Sequence, residues 1–367
     1  MNVAVLGGSN GGLAAAADLS LAGHRVRLWR RAAGDVAAVR DGITLHAEVR
    51  SGRAKLDRVT VDLREAVDGA ELVVAAVPAT AHDDLAKRLA PLLTETQIVL
   101  LTPGTLGAFA MARDVARLGG RLPLAFAETG TLPYLARKTG PADVKAPVRA
   151  ANLPTGVFPG ERTDAVLAKL APLFPVRRCV DALDAALANA GPIIHPALVL
   201  LNLGAIDAGR FDVHAQGTTA SVRRLIDAVD DERMTTRRGW GYPVPHYEMA
   251  TYYDESRGAE GLYGAGAKAK LLASGLWNET VTMEHRYVTE DAVLGLSLFE
   301  SAARTASAPS PAVSGLLLLY GVLLGRELSS CGRALEGLGL GDLALREIKT
   351  LLQEGWTSNV WARVLRA

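Results

Sequence analysis

Two cysteines in 367 residues, Cys179 and Cys331, leave no disulfide framework and no zinc-type cluster. The scarcity suits a reducing cytoplasm, and no metal is expected. A formal net charge of +1, from 40 basic and 39 acidic residues, argues against a nucleic-acid or membrane surface as the main partner. The longest apolar run, residues 316–324 with their neighbours, is too short to cross a bilayer and reads as a core helix, whose apolar face could also serve a homodimer interface. There is no internal repeat, low-complexity tract or long linker. A buried strand begins within two residues of Met1, which leaves no room for a signal peptide and predicts a cytoplasmic protein. Instead, 49% hydrophobic residues are spread over a length too great for one typical core. That predicts two abutting domains with a cleft between them, the default substrate site.

The first thirty residues are the most informative. Asn2–Leu6 reads as a strand, Gly7-Gly8-Ser9-Asn10-Gly11-Gly12 as a turn, residues 13–21 as a helix closed by Gly23, and Arg25–Trp29 as a second strand. This is the opening unit of a Rossmann domain. A dinucleotide pyrophosphate needs backbone N–H groups and a helix N-terminus brought close with no side chain in the way. Gly7 fits the tight-turn position and Gly12 the position packed between helix and strand; Val77, Pro78, Pro103 and Gly104 lie at later strand ends, where ligands bind in such sheets. Two expected residues are missing. Ser9 replaces the middle glycine, and no acid ends the second strand to grip an adenosine ribose. Arg30 and Arg31 stand there instead, and forked guanidinium groups suit a 2′-phosphate, so NADPH is favoured and NADH is the alternative.

The alternating pattern continues with strands at 72–77, 97–101 and 122–127, and closing strands between 150 and 179. From 183 onward helical periodicity dominates, with helices at 185–190, 196–208, 221–232, 312–324 and 343–353. The fold class is therefore α/β, a Rossmann dinucleotide-binding domain over residues 1–182 followed by an all-α substrate domain over 183–367. At the junction, His195 lies between Pro192 and Pro196, in what reads as the N-terminal turn of an apolar helix with Pro196 at a tolerated position.

Several blocks, taken in order, resemble the opine dehydrogenases, the octopine and nopaline dehydrogenase group. They are Leu6-Gly7-Gly8-Ser9-Asn10-Gly11-Gly12, Val77-Pro78, Pro103-Gly104, Ala127-Glu128-Thr129, His195-Pro196 with Leu200-Leu201-Asn202, Arg286-Tyr287-Val288-Thr289-Glu290-Asp291 with Gly295-Leu296, and Gly332-Arg333-Ala334-Leu335-Glu336. The resemblance implies an enzyme that condenses an amino acid or amine with a 2-oxo acid and reduces the imine with hydride to a secondary amine dicarboxylate. It also implies a catalytic pair, His195 and Asp291, with Glu128 among the cofactor-binding positions. An aspartate on an imidazole N–H fixes the tautomer and steadies the imidazolium. Glu290 is an alternative carboxylate partner for the histidine.

Both substrates are anions, so Arg286 is the candidate carboxylate clamp, its alternative being a salt bridge to Glu290. Tyr242 and Tyr247, continued by Tyr252, Tyr253 and Tyr263, could form a wall that recognises the amino-acid side chain, or could serve ordinary packing. His246 and His285 have no evident partners. Two competing readings remain. A glycerol-3-phosphate or ketopantoate reductase type would need a cleft-facing lysine, for which Lys268 and Lys270 are the candidates. A nucleotide sensor without turnover would have no need of both His195 and Asp291.

Overall fold

Val3, Val5, Leu72–Ala75, Ile98–Leu101 and Ala125–Thr129 are all buried, as expected of strands covered on both faces of a parallel sheet. The computed structural model describes residues 1–366 except 210, 278, 279 and 331, so Cys331 lies outside the described residues. Among the described residues twelve strands form in chain order: β1 Asn2–Leu6, β2 Arg25–Trp29, β3 Ile43–Ala47, β4 Gly52–Ala54, β5 Arg58–Thr60, β6 Leu72–Ala75, β7 Ile98–Leu101, β8 Ala125–Thr129, β9 Tyr134–Gly140, β10 Asp143–Arg149, β11 Leu153–Phe158 and β12 Val176–Arg178.

The larger sheet runs β12-β11-β8-β7-β6-β1-β2-β5. Its β5-β2-β1-β6-β7-β8 portion is parallel and has the doubly wound order, with the reversal of strand order between β1 and β6. The ligand crevice of such a sheet lies at that reversal, where Gly7 and Ala76 meet. A second sheet, β4-β3-β10-β9, was not foreseen. Its strands are short and mixed, and in β9 the run Arg137-Lys138-Thr139 interrupts the alternation. The expected strand at 72–77 stops at Ala75, because Val77-Pro78 turns out of the sheet; that at 122–127 starts at Ala125, after Pro123.

Among the described residues the strands end by Arg178, and helices follow from Ala182. His195 sits inside the helix Gly191–Leu200, not at the start of a helix over 196–208; Pro192 takes the early position and Pro196 lies within. The stretch breaks at Leu201 and resumes as Leu203–Asp207. The final helix, Trp361–Arg366, returns to the first domain: Arg117 donates to the carbonyls of Val364 and Leu365, and Trp361 packs against Phe109 and Phe158. The apolar helix Pro311–Leu324 is core on one side only. Leu316, Leu317 and Tyr320 are buried, but Leu318 and Val322 are 69% and 73% exposed.

The domain junction holds a buried carboxylate, Asp181, which caps the helix Ala182–Ala186 through the Asp184 N–H and accepts from the Tyr242 hydroxyl at 2.9 Å. Burial, with Asp184 alongside, raises its pKa to about 7. The native state thus keeps a proton that the unfolded chain releases near 3.8. This contribution to stability is fully present below pH 3.8 and is lost as pH rises through about 7. Asp181→Asn keeps an acceptor oxygen. It should flatten the fall of thermal stability over that window by up to about 1.4 kcal/mol per pH unit, and an unchanged slope would show that Asp181 does not titrate there.

Candidate active site

The glycine turn is held by contacts that explain its composition. A Cβ on Gly12 would meet the Gly7 carbonyl at 2.3 Å, and one on Gly7 the Ala76 carbonyl at 2.8 Å, with Gly7 at φ +106°. The helix, Asn10–Leu21, starts three residues earlier than expected, and Ser9 is its N-cap: its Oγ accepts from the Gly12 N–H at 3.1 Å and donates to the Ala76 carbonyl at 3.0 Å. Serine at the middle position therefore ties the helix to the end of β6. Ser9, Asn10 and Gly11 line a cleft that runs past Val77, Pro78 and Pro103 into the helical domain. Nothing lies within 4 Å of where a Gly11 Cβ would be. A pyrophosphate can approach the backbone N–H groups from this side, so the residues present fit a dinucleotide.

Farther along the cleft, His195 Nδ1 lies 2.7 Å from Asp291 Oδ2. Asp291 belongs to a π-helical segment, Tyr287–Leu296, of a kind found often at functional sites. Two glycines let this segment close on the helix Gly191–Leu200. A Cβ on Gly191 would strike Asp291 Oδ1 at 2.3 Å, and one on Gly295 the Pro192 ring at 2.2 Å. Burial raises the Asp291 pKa to about 6, opposed by the charges of Arg286 and His285. Above that value the carboxylate accepts the imidazole N–H at Nδ1.

Glu290 is not the partner of His195. One of its oxygens accepts the Ala79 N–H at 3.0 Å and the other faces Arg286 Nε at 3.4 Å. Arg286 makes the salt bridge to Glu290 that was the alternative to a clamp, and it also lines the cleft.

Some expected site residues lie elsewhere. Tyr242 is buried, stacked on Trp240 and bonded to Asp181, and Tyr247 packs in the core away from the cleft. Both were proposed because tyrosines cluster in that stretch; Tyr252, Tyr253 and Tyr263 do line the cleft. Glu128 faces inward, accepting the N–H groups of Leu106 and Ala108 at 2.8 and 2.7 Å, and Gly104 is small because Glu128 packs against it. These two support a turn beneath the site. Gly8 is where Arg30 folds over the turn: Nη1 donates to the Gly8 carbonyl at 3.3 Å while Nη2 pairs with Asp35 at 3.0 Å. Arg31 is exposed. His246 accepts from Arg237, and His285 packs edge-on against Tyr287. Lys268 lines the cleft, whereas Lys270 pairs with Glu48 at 2.7 Å.

Other cleft residues were missed. Tyr287 stacks on His195 with ring centroids 3.6 Å apart; its hydroxyl meets His214 Nε2 at 2.9 Å, and His214 stacks on Trp277. Arg137 lines the cleft from β9, and the neighbouring Lys138 N–H donates to Asn10 Oδ1 at 2.9 Å. Tyr287 stood inside the block that carried Asp291, so its neighbours in sequence were the available signal; nothing local marks His214 or Arg137.

Residues 178–324 match the family model for the alpha-helical domain of NAD/NADP octopine/nopaline dehydrogenase, and residues 2–111 the N-terminus of NAD-dependent glycerol-3-phosphate dehydrogenase. An opine dehydrogenase from Arthrobacter sp. (strain 1C) is 28% identical over 95% of this chain and 98% of its own. An octopine dehydrogenase from Mizuhopecten yessoensis is 24% identical, covering 90% and 94%. Among solved structures, octopine dehydrogenase in complex with NADH and agmatine superposes with a TM-score of 0.71 at 18% identity, over 96% of this chain and 98% of that one. Yersinopine dehydrogenase with NADP+ bound gives 0.62 at 15%, over 98% and 99%. Fold and site define an NAD(P)-dependent oxidoreductase with a Rossmann domain and a helical domain. More narrowly, the chain is similar to the opine dehydrogenases over nearly its whole length, the resemblance its sequence blocks carried.

The cap at Ser9 is testable. Ser9→Ala should lower stability by about 1 kcal/mol in urea denaturation and weaken dinucleotide binding; full stability in that variant would mean that the cap contributes nothing.

Proposed function

We propose that this protein reductively condenses an amino acid or amine with a 2-oxo acid, through an imine, to a secondary amine dicarboxylate in the cytoplasm. The observation that carries this reading is the 2.7 Å contact between His195 and Asp291, in the wall of a cleft that begins at the glycine turn. Arg286 anchors the oxo-acid carboxylate through a forked, charge-assisted contact, and Glu290 keeps the guanidinium oriented. An incoming α-ammonium group must lose a proton before its nitrogen can attack the carbonyl. His195 Nε2 takes that proton, and Asp291 on Nδ1 stabilises the imidazolium that results. Water leaves as the imine forms. A bound nicotinamide supplies the hydride that reduces the imine carbon.

For the cofactor, NADPH is favoured over NADH. Arg31 is exposed beside Arg30 at the end of β2, and no acid stands between Trp29 and Arg31 to meet the ribose. Arg30 already engages Asp35, so Arg31 is the more open of the two.

His195→Ala should cut turnover about 10²-fold or more while leaving cofactor affinity nearly unchanged; undiminished steady-state turnover would sink the assignment. Arg31→Asp should shift the ratio of kcat/KM for NADPH and NADH toward NADH by about tenfold, on the order of one exposed charge contact strengthened at the ribose. An unmoved ratio would mean that the phosphate is held elsewhere.

A further inference from the structure

Lys268 is a cation lining the cleft that forms no ion pair among the described residues. It stands in the first turn of the helix Ala267–Ser274, where a positive side chain opposes the helix dipole and so does not serve helix stability. Its Nζ lies 4.9 Å from the centroid of the Tyr253 ring, and the guanidinium of Arg223 lies 4.1 Å from the same centroid. Among the described residues no carboxylate pairs with it, whereas Lys270, two residues on, pairs with Glu48 outside the cleft at 2.7 Å. Two cations thus gather at one ring, with Asp227 as the acid whose charge reaches the same tyrosine, and of the two cations Lys268 lines the cleft.

The proposed reaction brings two carboxylates into that space, and Arg286 accounts for one. The other cations lining the cleft are Arg137 and Lys268. Arg137 lies on β9 next to Lys138, whose N–H and ammonium reach Asn10 and the Gly8 carbonyl at the glycine turn, so its place is at the dinucleotide end. Lys268 is set among Tyr252, Tyr253, Leu271, Leu272 and Trp277, which offer ring faces and branched aliphatic groups.

We propose that Lys268 binds the carboxylate of the amine partner, which makes α-amino acids the substrates and excludes the corresponding amines that lack a carboxylate. The inference rests on the reductive condensation proposed above and adds to it the group that reads the second substrate. Lys268 has a competing role, that of a lysine protonating an alkoxide in a keto-acid reductase. The two roles differ in kinetics: loss of a proton donor lowers kcat, whereas loss of an anchoring charge raises the KM of the molecule anchored.

The test measures oxidation of reduced cofactor by the full-length enzyme with pyruvate and two matched pairs, L-phenylalanine against phenethylamine and L-leucine against isoamylamine. The wild type should favour the amino acid in each pair by about 100-fold or more in kcat/KM, as expected for a charge-assisted contact that is lost. Lys268→Met should raise the amino-acid KM at least tenfold and kcat should move much less; the pyruvate KM should hold, and Lys268→Arg should restore most of the preference. Equal use of amines by the wild type overturns the proposal whether or not the variant folds. A Lys268→Met enzyme that loses kcat at unchanged amino-acid KM overturns it in favour of the proton donor. Turnover of pyruvate alone, without any amine, would remove the condensation and this inference together.

Discussion

The contact between His195 and Asp291 is the constraint around which the helical domain is arranged. An imidazole and a carboxylate 2.7 Å apart, with the carboxylate nearly inaccessible, require two helical segments to approach more closely than ordinary side chains allow. Gly191 and Gly295 give that approach, one beneath the carboxylate and the other beneath Pro192. The apolar residues that follow on both segments then bury each other. The cost of keeping Asp291 dry shows in its raised pKa, and the charges of Arg286 and His285 offset part of it.

Among the contacts that join the two domains, one Rossmann residue is held on both sides by buried side chains of the helical domain. Ala79 follows Val77 and Pro78, which line the cleft, and it is held on both sides: its N–H by Glu290 and its carbonyl by Arg333 at 3.3 Å. Both partners are buried and charged, so each bond is made in a medium where it counts for more than it would in water. Glu290 also meets Arg286, and Asp291 is its chain neighbour. The loop after β6, Arg286 and His195 are thus all contacted from one short segment of chain, through Glu290 and Asp291. Movement of either domain relative to the other would disturb all three.

Much of this was legible in the sequence, and the parts that were not have a common physical cause. The parallel strands, the glycine turn and the pairing of His195 with Asp291 rest on local patterns or on blocks whose order is specific. The second sheet does not: β9 reads Tyr-Leu-Ala-Arg-Lys-Thr-Gly, and its cleft-facing arginine is dictated by what it faces rather than by its neighbours in sequence. Tyr242 and Glu128 were misplaced for a related reason. A tyrosine cluster and a conspicuous acid look like site chemistry in sequence, but Tyr242 satisfies the buried Asp181 and Glu128 satisfies two N–H groups at a turn where Thr105 and Leu106 have positive φ. Ser9 was unexplained until its two hydrogen bonds were seen, since the residue that receives its proton, Ala76, lies 67 positions away.

The orientation of His195 depends on more than its carboxylate. A hydrogen bond at Nδ1 fixes one edge of the ring but leaves it free to pivot about that contact. Tyr287 removes the pivot by stacking on the ring with an interplanar angle of 12°. Tyr287 is in turn fixed through its hydroxyl by His214, and His214 stacks on Trp277 at 4.8 Å. Of these four rings, only Tyr287 belongs to the same chain segment as Asp291; His214 and Trp277 come from separate loops that also line the cleft. The plane in which His195 presents Nε2 is therefore set partly by the residues that border the substrate space. A change of side chain at Trp277 reaches the plane of the His195 ring through two ring contacts and one hydrogen bond.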